Sequence, residues 1–363
     1  MEILGLIASI LGILAFFAID PNNMIKNFNA WLFISKRKQK NNPKEFIKFF
    51  QEFDVVQMGW DNLIFGEHSI EILIYGKFKI DKEIESEIKN KYQTYWESVN
   101  FQNNQQIGII EIDPHRLTDN VTEGQSHVLK IKAHIIDYFD FLSTNRILTF
   151  GDDKDKEIIK RFIDEPIPHY LYPIKEFANP LSVGLTLFCE RGKCLVLTKR
   201  SNLHSSGGGW ESGLYFNAVG ETIAPIDICE CVLGHHKISV QLAAKRGLQE
   251  EIGINMSTNN IIIHSFIRDK RILDYKFFGY VISELNREDI ELFWNRAPDK
   301  SESLELVFYD LKKPNNSELI INNILNHSTE WSKEASYSTV MALMVNKNIS
   351  EGKVYELFST HNP

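Results

Sequence analysis

Arg246, Glu250 and Glu251 lie on one apolar-periodic stretch running from about Ser239 to Gly253. Residues four apart on a helix share a face, so Arg246 and Glu250 can form an ion pair that orients both. Carboxylates beside an arginine suit hard-cation and phosphate chemistry, because Mg²⁺ or Mn²⁺ takes oxygen ligands and neutralises phosphate charge. Glu221, Glu302 and Glu305 are further carboxylates on other elements. Lys199, Arg200, Lys245 and Arg246 are candidate phosphate partners, and surface ion pairing is the plainer use of two of them. Trp210, Tyr215 and Phe216 could stack on a base or simply pack in strands. Asn217 and Glu221, beside them, complete the candidate ligand-binding set. A compact Cys229, Cys231, His235, His236 group invites zinc, but its spacing is too tight for four comfortable ligands.

These residues need elements to position them. Ser182–Phe188 and Cys194–Lys199 read as two strands around the Glu190–Lys193 turn, a hairpin signal. A flexible loop with Gly207, Gly208 and Gly209 follows, then the Leu214–Glu221 segment, then a loop holding the Cys and His residues. The helix from Ser239 stops at Gly253, a good helix-terminating residue. Strands at 261–267, 275–283 and 302–309 precede a helix near 331–348. Upstream, 45–53 and 81–99 read as helical, 69–78 and 107–112 as strands, 128–142 as a one-faced helix, and 152–156 as a charged turn. His127 and His134 could share a helix face, which alone is weak evidence for metal.

The whole chain has 363 residues, 43% apolar and 24% charged, with a net charge of -8 and four cysteines. That composition excludes a disordered or collagen-like chain and a disulfide scaffold, and it argues against a general nucleic-acid coat. A polytopic membrane protein is excluded too, because one segment alone, Ile3–Ile19, is long and apolar enough to span. At 1.5 Å per residue it covers roughly 26 Å, slightly short of the hydrocarbon core. An acidic start and no small-residue cleavage site favour an uncleaved anchor over a signal peptide or a buried helix. Lys36, Arg37, Lys38 and Lys40 follow, so the amino terminus is expected outside and the bulk of the chain cytoplasmic. Gly5, Ala8, Gly12 and Ala15 form a small-residue face suited to self-association in lipid. The expected organisation is an anchor at 1–20, a juxtamembrane segment at 21–44, an α+β middle domain at 45–170, a C-terminal domain at 177–350 and a tail at 351–363.

The segment Arg246-Gly247-Leu248-Gln249-Glu250-Glu251-Ile252-Gly253-Ile254 resembles the second half of the Nudix box, arginine–glutamate–apolar–x–glutamate–glutamate–x–glycine–apolar. Six of the seven specified positions match: Arg246, Leu248, Glu250, Glu251, Gly253 and Ile254. The resemblance covers roughly 177–350 and implies an α/β (α+β) fold in which a mixed sheet lies between helices. It also implies divalent metal held by glutamates at the positions of 247 and 251, so a metal role falls on Glu250 and Glu251, with Glu221, Glu302 or Glu305 as carboxylates arriving from other elements. Here Gly247 replaces the first, and the glycine and glutamate of the first half-box are absent, with Val232 and Ile238 at those distances. A glycine inside a helix costs about 1 kcal/mol relative to alanine, so Gly247 points to close backbone approach.

An anchor followed by a degenerate domain of this kind resembles the transmembrane–Nudix effectors of bacterial CBASS antiphage systems. That resemblance implies a bacterial inner-membrane protein that binds a cyclic nucleotide made by a partner cyclase, self-associates and disrupts the membrane, with no cofactor required. The alternatives are a membrane-tethered Nudix pyrophosphohydrolase of a nucleoside diphosphate derivative, using Mg²⁺ or Mn²⁺ on Glu250 and Glu251, and a non-catalytic membrane scaffold.

Overall fold

The computed structural model describes residues 50–58, 64–66, 69–98, 103–113, 128–163, 172–201, 212–313, 315–347, 349–350, 353–354 and 356–358. They belong to one compact unit, 46–363. The anchor and juxtamembrane expectations, most of the 45–53 helix, His127, the glycine loop and Trp210 lie outside the described residues. Among the described residues, no helix is long and apolar enough to cross a membrane.

The fold is mixed α+β with two mixed sheets. Strands β1 (Phe53–Met58) and β2 (Ile70–Lys77) come first, then helix α1 (82–98), β3 (Gln105–Ile112), β4 (Leu129–Asp137), α2 (138–150) and α3 (Asp153–Lys160). The second half begins with the hairpin β5 (Leu181–Cys189) and β6 (Cys194–Arg200). Then come β7 (Tyr215–Phe216), β8 (Val219–Thr222), β9 (Ile228–Val232), β10 (His235–Ile238) and helix α4 (240–252). Strands β11 (Ile261–Asp269) and β12 (Asp274–Ile282), helix α5 (Arg287–Trp294), β13 (Ser303–Asp310), α6 (Asn316–Asn326) and α7 (Lys333–Lys347) complete the order.

The larger sheet runs β1-β11-β12-β5-β6-β13, with β7 on β6 and β8 on β5. Its β12–β5 pair is parallel and the remaining pairs are antiparallel. Successive side chains of a strand point to opposite faces. Thr186 and Phe188 of β5 meet α7, through the 2.9 Å Thr186–Ser338 hydroxyl bond and the apolar cluster around Tyr337. The opposite parity, carrying Leu185 and its register partner Val219, meets α4, where a Cβ on Gly247 would lie 2.5 Å from the Val219 methyl. The larger sheet thus lies between two helices. The smaller sheet runs β3-β4-β2-β10-β9 with β2–β4 parallel. Each sheet borrows across the chain: β1 pairs with β11, and the β9–β10 hairpin extends β2.

Several local expectations are corrected. Segment 128–142 is strand β4 followed by the start of α2, because Leu129, Ile131, Ala133 and Ile135 repeat every two residues against Lys130 and Lys132. The charge run 152–156 is a helix start: Asp152 Oδ1 accepts from the Asp155 N–H at 2.9 Å, and Ile158 and Ile159 are buried. Phe50–Glu52 is a turn into β1, not the end of a helix. His134 is a packed core residue beside the Ala178 carbonyl (3.3 Å) and the Phe78 ring.

Near the start of β12, Lys276 is mostly buried between Asp274 (3.4 Å) and Glu334 of α7. Such a charge is tolerated only with partners, so this contact locks α7 onto the larger sheet.

Candidate functional site

The site is assembled where α4 crosses β8. Ser239 caps the helix, its hydroxyl accepting from the Leu242 N–H at 3.2 Å, and Ala243, Ala244, Gly247, Leu248 and Ile252 bury one face. A π turn over 248–252 leads to Gly253, whose φ of 79° is the left-handed conformation that glycine tolerates. The crossing is close because Gly247 lacks a side chain: a Cβ there would sit 2.5 Å from Val219 Cγ1 and 2.9 Å from Glu221 Cβ. The position where the Nudix pattern has a glutamate is therefore filled by β8 itself.

Arg246 stands at the centre. Its guanidinium reaches Glu221 (3.0 Å), Asp227 (3.0 Å) and Glu250 (3.2 Å), and donates to the Thr222 carbonyl at 2.7 Å. The expected Arg246–Glu250 pair forms. As a phosphate partner, however, Arg246 is already committed to carboxylates. Spacing alone does not point to Asp227, because it comes from a short turn 19 residues before Arg246, a separation with no helical meaning. Its own Oδ2 also accepts from the Ala224 N–H at 2.9 Å.

Glu251 is 8% exposed, and its Oε1 accepts from the Gly220 N–H at 2.9 Å. Burial, with repulsion from Glu302 and Glu221, pushes its carboxyl well above the usual range despite Arg200. Arg200 pairs with Glu302 at 3.4 Å and lies 5.0 Å over the Phe216 ring, while its Nε is buried without a partner. Phe216 in turn backs Gly220, where a Cβ would meet the ring at 3.1 Å. Lys199 pairs with Glu305 at 3.4 Å and covers Tyr215. Lys245 makes no ion pair among the described residues. Asn217 is buried with neither side-chain amide atom bonded, while its backbone carbonyl accepts from Thr198 at 2.8 Å.

The structure thus gathers Arg200, Phe216, Glu221, Arg246, Glu250, Glu251 and Glu302, whereas Lys199 and Asn217 face the α7 side of the sheet, Lys199 over Tyr215 and the Asn217 amide near Gly184 and Phe278. For divalent metal the fit is poor. Glu221 and Glu250 face Arg246, Glu302 faces Arg200, and Glu251 is tied to a backbone N–H. Among the described residues, no group of three or more His, Cys, Asp or Glu is placed to hold a metal ion. Zinc fails for a separate reason. Cys229, Cys231, His235 and His236 form the hairpin β9–β10, not a loop, and adjacent His235 and His236 point to opposite faces. The His235 ring lies against Tyr75 at 4.1 Å, with Nδ1 3.2 Å from the Ile74 carbonyl. A cavity of about 650 Å³, lined by Phe65, Lys237, Gln241 and Ile262 among others, opens at the other end of α4.

Burial pushes the Glu221 carboxyl up to about 7, with Arg246 pulling it down and Glu250 pushing it further up. One guanidinium serves three carboxylates, so a proton takes the place of the missing cation. The folded state holds this proton more tightly than the unfolded chain, whose glutamate titrates near 4.5. The group's stabilisation is therefore complete below pH 4.5 and is lost as pH rises towards 7. Glu221→Gln is expected to flatten that slope, read as the difference in urea midpoint between wild type and variant at each pH. Parallel profiles would show that Glu221 does not hold the proton.

No protein-family model matches the chain, and no curated protein matches it. Among solved structures the chain is similar to a MutT/nudix family protein from Enterococcus faecalis, at 12% identity and a TM-score of 0.25, over 60% of this chain and 91% of that one. A likeness that slight carries no argument about fold or activity.

Proposed function

We propose that the α4–β8 site of this Nudix-like domain recognises a nucleotide without hydrolysing it, and that the chain is a sensor. One observation carries the reading: the backbone of α4 at Gly247 is packed onto Val219 and Glu221, which leaves no space for a second carboxylate on the Glu251 face. Two coplanar glutamates are what a diphosphate-bound cation would need there. The resemblance to transmembrane–Nudix effectors of CBASS systems supplies the finer content. The ligand is then a cyclic nucleotide, the apolar segment 3–19 is the anchor, and binding shifts self-association at the membrane through differential affinity for the two states.

Calorimetry on the full chain with a panel of cyclic and linear nucleotides tests this, with product analysis in Mg²⁺ or Mn²⁺. Saturable binding without turnover, unchanged by chelation with EDTA, is expected. Metal-dependent turnover abolished by Glu251→Gln and by EDTA would establish the pyrophosphohydrolase instead. Neither binding nor turnover would leave the scaffold.

A further inference from the structure

Cys189 ends β5 and Cys194 opens β6, and the two are register partners in that antiparallel pair. Directly opposed residues of antiparallel strands lie about 4.5–5.5 Å apart at Cα, a spacing that a disulfide spans. Their side chains share a face. It is the face turned away from α7, because the adjacent Phe188 and Leu195 belong to the apolar cluster around α7. Both cysteines are free thiols, and the Cys189 thiol hydrogen-bonds the Cys194 sulfur. The turn between them is pinned from two sides. The Glu190 and Arg191 N–H groups donate to the Leu285 and Ser283 carbonyls at 2.8 and 2.9 Å, and the Leu311 N–H donates to the Lys193 carbonyl at 2.8 Å. Backbone bonds from the ends of β12 and β13 therefore hold the two sulfurs together.

A positive charge stands beside them. Arg287, at the start of α5, donates to Glu190 at 3.2 Å and also reaches the Cys194 sulfur. Lys312 holds the other oxygen of Glu190 at 2.9 Å. Glu190 and Arg287 are the charged groups that act on both sulfurs, and Lys312 acts through Glu190. The bond from Cys189, helped by Arg287, holds the Cys194 thiol below its ordinary range against burial and Glu190. The same bond, with burial, pushes the Cys189 thiol up. Protonated Cys194 donates to the Leu195 carbonyl at 3.6 Å. A thiolate beside an arginine with a second thiol in contact is the pattern of a nucleophilic cysteine and its resolving partner.

We infer that Cys189 and Cys194 form a reversible oxidation site whose co-substrate is a small hydroperoxide, closing to a cross-strand disulfide at the tip of the β5–β6 hairpin. The Cys194 thiolate attacks a peroxide oxygen and breaks the O–O bond, giving a sulfenic acid. The departing alkoxide, or hydroxide, takes up the proton that Cys194 released. The Cys189 thiol then displaces water from the sulfenic sulfur and forms the S–S bond. Two thiols lose two electrons in all, and the hydroperoxide takes them to become an alcohol and water. A small dithiol reverses the closure by exchange. The pair is buried, but each cysteine adjoins a turn whose Arg191 and Lys193 are exposed, so a small oxidant has a short path. The inference stands apart from the nucleotide reading.

The test uses the full chain. Trypsin cuts after Arg191 and Lys193, which puts Cys189 on peptide 176–191 and Cys194 on peptide 194–199. After hydrogen peroxide and blocking of free thiols, mass spectrometry is expected to find these peptides joined, two hydrogens lighter than their sum. Dithiothreitol should separate them. Combining Cys229→Ser with Cys231→Ser removes the exposed thiols, and both remaining thiols should then disappear together. Arg287→Gln should slow the closure severalfold and move its pH midpoint upward, and Arg287→Lys should recover part of the rate. Three results would overturn the site: a pair that stays reduced under peroxide that consumes Cys229 and Cys231, oxidation of each to sulfinic acid without joining, or pairing of either with Cys229 or Cys231. An unchanged rate and pH midpoint in Arg287→Gln would overturn the part given to the arginine. Nucleotide binding is read separately by calorimetry, so either proposal can fail alone.

Discussion

Arg246→Leu is expected to cost about 3–5 kcal/mol of folding stability, because it leaves buried carboxylates without their cation. Glu221, Asp227 and Glu250 all converge on this one side chain, and the Thr222 carbonyl accepts from it. Asp227 has almost no solvent contact, so water cannot replace the guanidinium there. Two elements lose their tie at once, since Thr222 ends β8 and Asp227 lies in the turn that leads to β9. Arg246→Lys should recover only part of the loss, because an ammonium keeps the charge but cannot divide its donors among four acceptors in a fixed fork. Urea denaturation of the three proteins reads the difference. A cost below about 1 kcal/mol for the leucine variant would place the arginine among ordinary surface pairs.

Gly247→Glu gives the other large effect, and the sign at the simpler Gly247→Ala is the informative part. In an ordinary helix interior, alanine for glycine gains about 1 kcal/mol. Here the new Cβ would stand 2.5 Å from Val219 Cγ1 and 2.9 Å from Glu221 Cβ. Overpacking of that kind costs about 1–3 kcal/mol, and the longer glutamate lies at or beyond the upper end. Val219→Ala in the same chain should return part of the loss, a non-additivity expected only of atoms in contact. Since the added carboxylate would lie against β8, Gly247→Glu should gain no Mg²⁺-dependent turnover. Stabilisation by alanine, or turnover gained by glutamate, would show that the helix can stand off the strand, and the sensing argument would lose its footing.

Much of the site's raw material was legible. The α4 helix, its end at Gly253, the Arg246–Glu250 pair and the need for room at Gly247 all follow from contacts one helical turn apart. The β5–β6 hairpin and strands β2, β3, β11, β12 and β13 were legible for the same reason, since alternation and turn residues act over a few positions. Periodicity misleads where one segment serves two environments. Strand β4 runs directly into α2, and the combined run of Leu129, Ile136, Phe139 and Leu142 mimicked a helical period.

The sequence by itself determined which residues could pair within one element, because spacing along a helix or strand sets what shares a face. Only the tertiary structure decided how charge is shared among elements. It brought Asp227 and Glu221 to Arg246, Glu302 to Arg200, and Glu334 of α7 to Lys276. It also added β1 to β11 across more than two hundred residues. The physical reason is that buried charges need partners wherever the chain can supply them, and that supply depends on how sheets and helices stack. No local spacing records it.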